Sequence, residues 1–273
     1  MRRILQARSY DELTVRPKVL LRRRDIGKSA RTILMAYSMD FAPVIARIPD
    51  LVSGAINTVV LSAEAIAIGL TIGLCVALAR FGGPAWCRFI GACYVEGFRN
   101  TPLLVQLFLI YFGLPYAGVK LNADQAAIFA VSLNLGAYST EIFRAGLMAI
   151  PKTQIQAGLA LGMSQIQVMR YVVLIPALRI VYPALTGQLT LTLLGTSIVS
   201  AISAKELTMA GATIESQSFR SLETFLVVAA IYICITFAFR FFYWLIGLWL
   251  FRRKTPTGSA TAELMLNVQE TRS

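Results

Sequence analysis

A chain of 273 residues that is 56% hydrophobic, with a mean hydropathy of +0.65, is more apolar than a water-soluble domain at about 45–50%. It contains no histidine, which excludes histidine metal sites and Ser–His or Cys–His nucleophilic pairs. The net charge of +12 raises nucleic acid and anionic lipid as partners, but its placement is uneven.

Residues 1–31 carry ten Lys/Arg against three Asp/Glu, a net +7 that leaves +5 for the rest. This segment lacks the apolar core of a secretory signal. It also lacks the aromatic interleaving or recognisable module of a nucleic-acid binder, so no nucleic acid is expected as a partner. Residues 1–39 read as a basic N-terminal extension, a solvated, disordered tail or a stretch that is not translated. Residues 41–48 then read as a short amphipathic helix lying on the outer membrane surface.

A bilayer core is crossed by about 20 mostly apolar residues. Residues 51–79 supply the first such run, and residues 224–251 supply the last, interrupted by Arg240. Between them lie residues 89–114, 125–150 and 180–202, each with some polar members. The fold class is therefore an all-α integral membrane protein with five transmembrane helices over residues 40–253, followed by a tail at 254–273. Cys75, Cys87, Cys93 and Cys234 form no C-x-x-C pair and read as packing residues, with no metal or disulfide role. The chain has no G-x-x-x-x-G-K-[ST] or G-x-G-x-x-G run, so nucleotide is not bound through either and no cofactor is expected. ATP, if it drives this protein, binds to another subunit.

Excess Lys/Arg in short connections marks the cytoplasmic side. Arg80 and Arg88, then Lys152, Arg170 and Arg179, then Arg252, Arg253 and Lys254 mark three connections of one kind. Lys120 with Asp124, and Lys205 and Arg220 with Glu206 and Glu215, mark two balanced ones. Five spans then place the N-terminus outside and the C-terminal tail in the cytoplasm. The basic extension opposes that placement. A sixth span over residues 32–48 would relieve it, but carries Asp40, Pro43 and Arg47. A natural start at Met35 or Met39 relieves it too, and is the expectation adopted.

The long segment after the third span holds small and apolar residues from Ala157 to Leu161, then Gly162 as a break. Ser164 is placed to cap a new helix near Gln165. The pattern predicts helix, turn and helix on the cytoplasmic side. Such a unit suits a knob entering a partner's groove; taken alone, it also fits an ordinary connection. The segment resembles the cytoplasmic loop of permease subunits of ATP-binding-cassette importers, whose pattern is E-A-A-x-A-L-G-x-S-x-x-Q. Ala157, Ala160, Leu161, Gly162, Ser164 and Gln167 match it, while Gln156 stands for the usual Glu and Gly158 for the second Ala.

Y-V-E-G-F-R-N-T-P-L-L-V-Q-L-F from Tyr94 to Phe108 is similar to the signature of the polar amino-acid branch of that family. A-Y-S-T-E-I-F-R-A-G from Ala137 to Gly146 and T-S-I-V-S from Thr196 to Ser200 resemble two further segments, in the same order. Leu194–Gly195 stands where that branch often has Lys-Asp. The resemblance implies a type I importer permease fold in the cell inner membrane, moving a polar L-amino acid inward. It implies as partners an ATPase subunit dimer, a second identical or homologous permease subunit and a periplasmic amino-acid-binding protein, besides membrane lipid. It also implies that Gln156, Ala157, Gly158, Ala160, Leu161, Gly162 and Ser164 form the ATPase-coupling loop.

Pro102 removes a backbone donor and is expected to kink the second span. Glu96 with Arg99, and Glu141 with Arg144, are three apart and predict ion pairs on one helix face. Gln106, Asn134, Tyr138, Gln188, Thr196 and Ser197 are uncharged polar residues in or at the spans. Singly each fits a bond to a neighbouring helix; together with Glu64 and Glu141 they form a candidate substrate pathway. A secondary transporter or channel is the alternative, but the inverted repeat that would favour it is not visible. A membrane enzyme would need clustered acids, cysteines or lysines at the membrane face, and none are seen.

Overall fold

The computed structural model describes residues 38–250. The extension up to residue 37, the tail from residue 251 and the choice between start sites lie outside the described residues. The chain divides into Met1–Asp40 and Phe41–Ser273, and the second unit is described here. In chain order its helices are α1 (Ala42–Ile45), α2 (Ile48–Gly82), α3 (Ala85–Arg99), α4 (Leu103–Phe108), α5 (Ala123–Met148), α6 (Lys152–Ala160), α7 (Gln165–Gln167), α8 (Ile175–Gly195), α9 (Leu207–Ser218) and α10 (Ser221–Leu250). A π turn runs α7 into α8, and a 3-10 segment, Thr196–Ile202, extends α8.

Four of these runs are long and apolar enough to cross a membrane: α2, α5, Gln165–Ile202 and α10. The second predicted span, residues 89–114, is not one helix. Pro102, extended at ψ 140°, starts α4 after α3 has ended at Arg99. Fifteen residues of α3 rise only about 22 Å, too short to cross alone. The predicted kink is thus a full break, because Pro102 offers no N–H to carry the helix on. Across that break the chain keeps its direction. Gly91 of α3 lies against Arg80 and Val76 of α2, Tyr94 bonds the Leu133 carbonyl, and Leu107 of α4 joins Leu61, Ala65 and Ala126. Two short helices together make the second crossing, so five crossings stand as four whole helices and one broken one.

The seam between α2 and α5 organises the bundle. A Cβ built on Gly73 would sit 2.0 Å from Ser139 Oγ, and one on Gly69 would sit 2.9 Å from the Ser132 carbonyl oxygen. The absent side chains let the two backbones touch, the usual basis of helix association in lipid. Thr140 Oγ1, 3.3 Å from the Gly73 carbonyl, stitches the seam. α5 begins at a capping box in which the Asn122 side chain accepts from the Gln125 N–H and Gln125 Oε1 accepts from the Asn122 N–H. Its buried residues include Ala126, Ala127, Ala130, Gly136 and Ala137, small side chains that let neighbours approach it closely.

At the end bearing Asp124 and Lys205, residues 41–48 differ from the expectation. Only Ala42–Ile45 forms a separate turn, Ile48 already belongs to α2, and Val44 is fully buried among Leu51, Leu207, Ile214 and Val228. A segment anchored by Val44 among α2, α9 and α10 is a packed turn, so the surface-lying amphipathic helix is corrected. Glu206 caps α9. Its carboxylate accepts from the N–H groups of Thr208 and Met209, both at 2.7 Å, and from the Tyr232 hydroxyl at 2.8 Å. Burial nevertheless holds this carboxyl above the usual carboxylate range.

Candidate functional site

The segment between the third and fourth spans folds as its sequence predicts. α6 is closed by a Schellman turn: Gly162 N–H bonds the Leu159 carbonyl at 3.0 Å and Met163 N–H bonds the Gly158 carbonyl at 3.1 Å. Gly162 takes φ +80°, a left-handed conformation that costs a side-chain-bearing residue energy. Ser164 and Gln167 then cap α7 reciprocally. Gly158 faces inward, and a Cβ there would lie 3.1 Å from Val168, so the glycine lets α6 press onto the following segment. Ile155, Met163, Val168 and Val172 bind the unit to the bundle through Phe143, Leu147 and Ile150.

The opposite side is bare. Gln156, Ala157, Ala160, Gly162 and Ser164 are exposed, as are the apolar side chains of Leu159, Leu161 (84%) and Ile166 (81%). Two large aliphatic tips on a capped base thus form a bare apolar protrusion. Leu159 and Ile166 are exposed apolar residues beside the turn that the motif pattern does not single out. Their signal was their apolar character flanking the turn.

The second cluster gathers at the broken span. Gln106 is 5% exposed, and its amide donates to the Phe98 and Thr101 carbonyls at 2.7 and 3.0 Å and to Thr101 Oγ1 at 2.8 Å. Its Oε1 accepts from Asn134 Nδ2 at 3.0 Å. One side chain therefore ties α3, the break and α5 together. One turn along α5 from Asn134, the Arg99 guanidinium lies 5.4 Å over the ring of Tyr138. The Glu96–Arg99 pair predicted from spacing does not form. Glu96 accepts from Asn100 Nδ2 instead, because the end of α3 turns Arg99 toward α5.

The other candidates are spread out. Glu141 does pair with Arg144, at 2.9 and 2.6 Å, but also with Arg80 of α2, a partner 61 positions away that local spacing could not reveal. Glu64 is exposed at a hollow of about 210 Å3 shared with Asn57, Asp124 and Lys205. Thr196 is buried with its hydroxyl on the Leu193 carbonyl, and Ser197 is half-buried with its hydroxyl on the Leu194 carbonyl. Gln188 is half-buried on α8. The structure thus joins Gln106, Asn134 and Tyr138, and leaves Glu64 and Glu141 apart from them. No group of three or more Cys, Asp or Glu suited to a metal occurs among the described residues.

Residues 49–252 match the family described as binding-protein-dependent transport system inner membrane component. The chain belongs to this family. The glutamine transport system permease protein GlnP of Escherichia coli (strain K12) is 38% identical over 204 residues, covering 74% of this chain and 93% of that protein. The octopine transport system permease protein OccM of Rhizobium meliloti is 34% identical, covering 71% and 84%. The L-cystine transport system permease protein TcyB of Bacillus subtilis (strain 168) is 35% identical, covering 72% and 80%. A crystal structure of an amino acid ABC transporter with histidines superposes with a TM-score of 0.71 at 35% identity, covering 77% of this chain and 99% of that one. The MetNI methionine ABC transporter, at a TM-score of 0.63 and 22% identity, shares the fold. The chain is thus a membrane-spanning permease subunit with the type I importer fold, and its role is transport.

The Gln106 clamp makes a checkable prediction. Gln106→Leu leaves the Phe98 carbonyl and Asn134 amide without their partner, at a cost of about 2 kcal/mol. That corresponds to a fall in Tm of roughly 4–8 °C in detergent, read by thermal unfolding. An unchanged Tm would mean the break is held by other contacts.

Proposed function

We propose that this chain is the permease half of an ATP-driven importer that carries an amino acid inward after an external binding protein delivers it. The observation that carries the reading is the capped, outward-facing knob at residues 152–167, with Leu161 and Ile166 bare at its tip. A separate ATPase subunit receives that knob, and closure of the ATPases is transmitted through α6 into the bundle. This chain supplies no phosphate-binding loop of its own. The substrate class follows from relatives that carry glutamine, octopine and cystine. A second permease subunit, identical or homologous, completes the route.

In this proposal the knob, Arg80 and Arg144 lie toward the cytoplasm, while Asn122, Lys205 and Gln217 lie toward the outside. Solute passes the break between α3 and α4, where Arg99, Asn134 and Tyr138 offer polar groups at membrane depth. Non-helical backbone is tolerated there because protein satisfies it. A channel or secondary transporter would have no use for an exposed apolar knob.

Leu161→Asp removes an apolar tip that touches little of its own chain. It is expected to cut uptake and partner-stimulated ATP hydrolysis by about tenfold or more, as loss of a docking anchor does, while Tm and membrane abundance stay unchanged. Uptake equal to wild type would remove the knob from the mechanism. In a cysteine-free background, Leu161→Cys should react with an impermeant thiol reagent only after the membrane is opened, and Gln217→Cys in sealed cells. The reverse labelling would invert the orientation.

A further inference from the structure

Arg240 interrupts the last span, and nothing described offsets its charge. Its guanidinium is exposed, with neither a hydrogen bond nor an ion pair among the described residues. Its depth is fixed by its neighbours: Phe239 and Tyr243 pack with Ile66, Leu70, Leu135 and Leu189, from the middle turns of α2, α5 and α8. A cation at that level is costly in hydrocarbon and is kept where it meets a partner or water. Ten further residues of α10, about 15 Å, follow it before the helix ends at Leu250.

Arg240 opens on a hollow of about 640 Å3 between α8 and α10, within the range of roughly 300–1,000 Å3 typical of small-molecule sites. Thr186, Gly187 and Thr190 line it from α8, and Tyr243 and Trp244 from α10. The Thr186 hydroxyl donates to the Pro183 carbonyl and the Thr190 hydroxyl to the Thr186 carbonyl, both at 2.9 Å. With their protons committed to the backbone, these oxygens remain as acceptors. No carboxylate lines the hollow.

We propose that this hollow is a solute site on the inward route. Arg240 takes the α-carboxylate of an amino acid, and the oxygens of Thr186 and Thr190 accept from its ammonium group. One cation facing hydroxyl acceptors complements a zwitterion. The absence of a lining carboxylate leaves a cationic side chain unanswered and close to Arg240, so the site selects amino acids with uncharged side chains over lysine or arginine. This rests on the proposed import of an amino acid. A helix of the second permease copy, laying its own carboxylate on Arg240, is the competing occupant.

The test uses the whole transporter, with its ATPase and binding protein, in proteoliposomes. Uptake of L-glutamine and L-lysine is measured for wild type, Arg240→Gln, Arg240→Lys and the Thr186→Val, Thr190→Val pair. Arg240→Gln should lower glutamine uptake by about tenfold or more, as loss of a charged contact does. Arg240→Lys should recover part of it, and the paired valines should raise KM, with assembly and stimulated ATP hydrolysis intact in all. Wild type should prefer glutamine, and Arg240→Gln should narrow that preference. Unchanged glutamine uptake in Arg240→Gln overturns the site. Loss of the assembled complex in that variant also overturns it, and assigns Arg240 to the seam with the second copy. Failure of the wild type to import glutamine, lysine, cystine or any other amino acid overturns the proposed substrate class itself.

Discussion

A helix broken inside a membrane leaves amide and carbonyl groups with no water to satisfy them, and this chain breaks one helix at Pro102. Gln106 is the answer. Its amide reaches back over the break to the Phe98 and Thr101 carbonyls, and its carbonyl holds Asn134 of α5. The side chain is buried, so each bond is made where its loss would be expensive. The break is thereby fixed in position against α5, and with it Arg99, which leaves the α3 face and settles over Tyr138. A polar cluster at membrane depth exists because that one amide makes irregular backbone tolerable there.

The rest of the bundle gives the break a firm wall. α5 is held to α2 by backbone contact at Gly69 and Gly73, and both helices are tied by Glu141 to Arg80 and Arg144. α10, by contrast, buries few of its residues within this chain. Large apolar side chains such as Phe237, Phe241 and Trp249 remain exposed on it, as a lipid-bathed or subunit-covered helix allows. The knob at α6 is fastened to the same cluster as the ends of α2 and α5 that bear Arg80 and Arg144, through Phe143, Leu147 and Ile150. Leu161 is thereby joined to the spans through packed side chains and a capped helix.

Much of this was legible locally. Apolar runs near 20 residues gave four whole spans, and Gly162 and Ser164 marked a turn and a cap that both form. What failed depended on groups distant in sequence. Glu96 and Arg99 have the right spacing for a pair, yet the helix ends at Arg99 and an aromatic ring from α5 competes for the guanidinium. Arg80 finds Glu141 only because α2 and α5 are in register through glycines. Pro102 announced a disturbance, but whether it kinks or breaks a helix depended on Gln106 and Thr101 being there to bond the carbonyls at the end of α3. Residues 41–48 looked amphipathic because Val44 is apolar, and its partner was protein, on α9 and α10, where membrane was expected.

The central claim is that force enters this permease from a separate ATPase at the tip of α6. The most direct measurement is site-specific photo-crosslinking from position 161 in the native membrane, with a second probe at Val119 on the opposite side of the bundle. The account predicts an adduct with a nucleotide-binding subunit from position 161, changed in yield by ATP, and none from position 119. Crosslinks from position 161 to lipid alone, or an ATPase adduct from position 119, would contradict it.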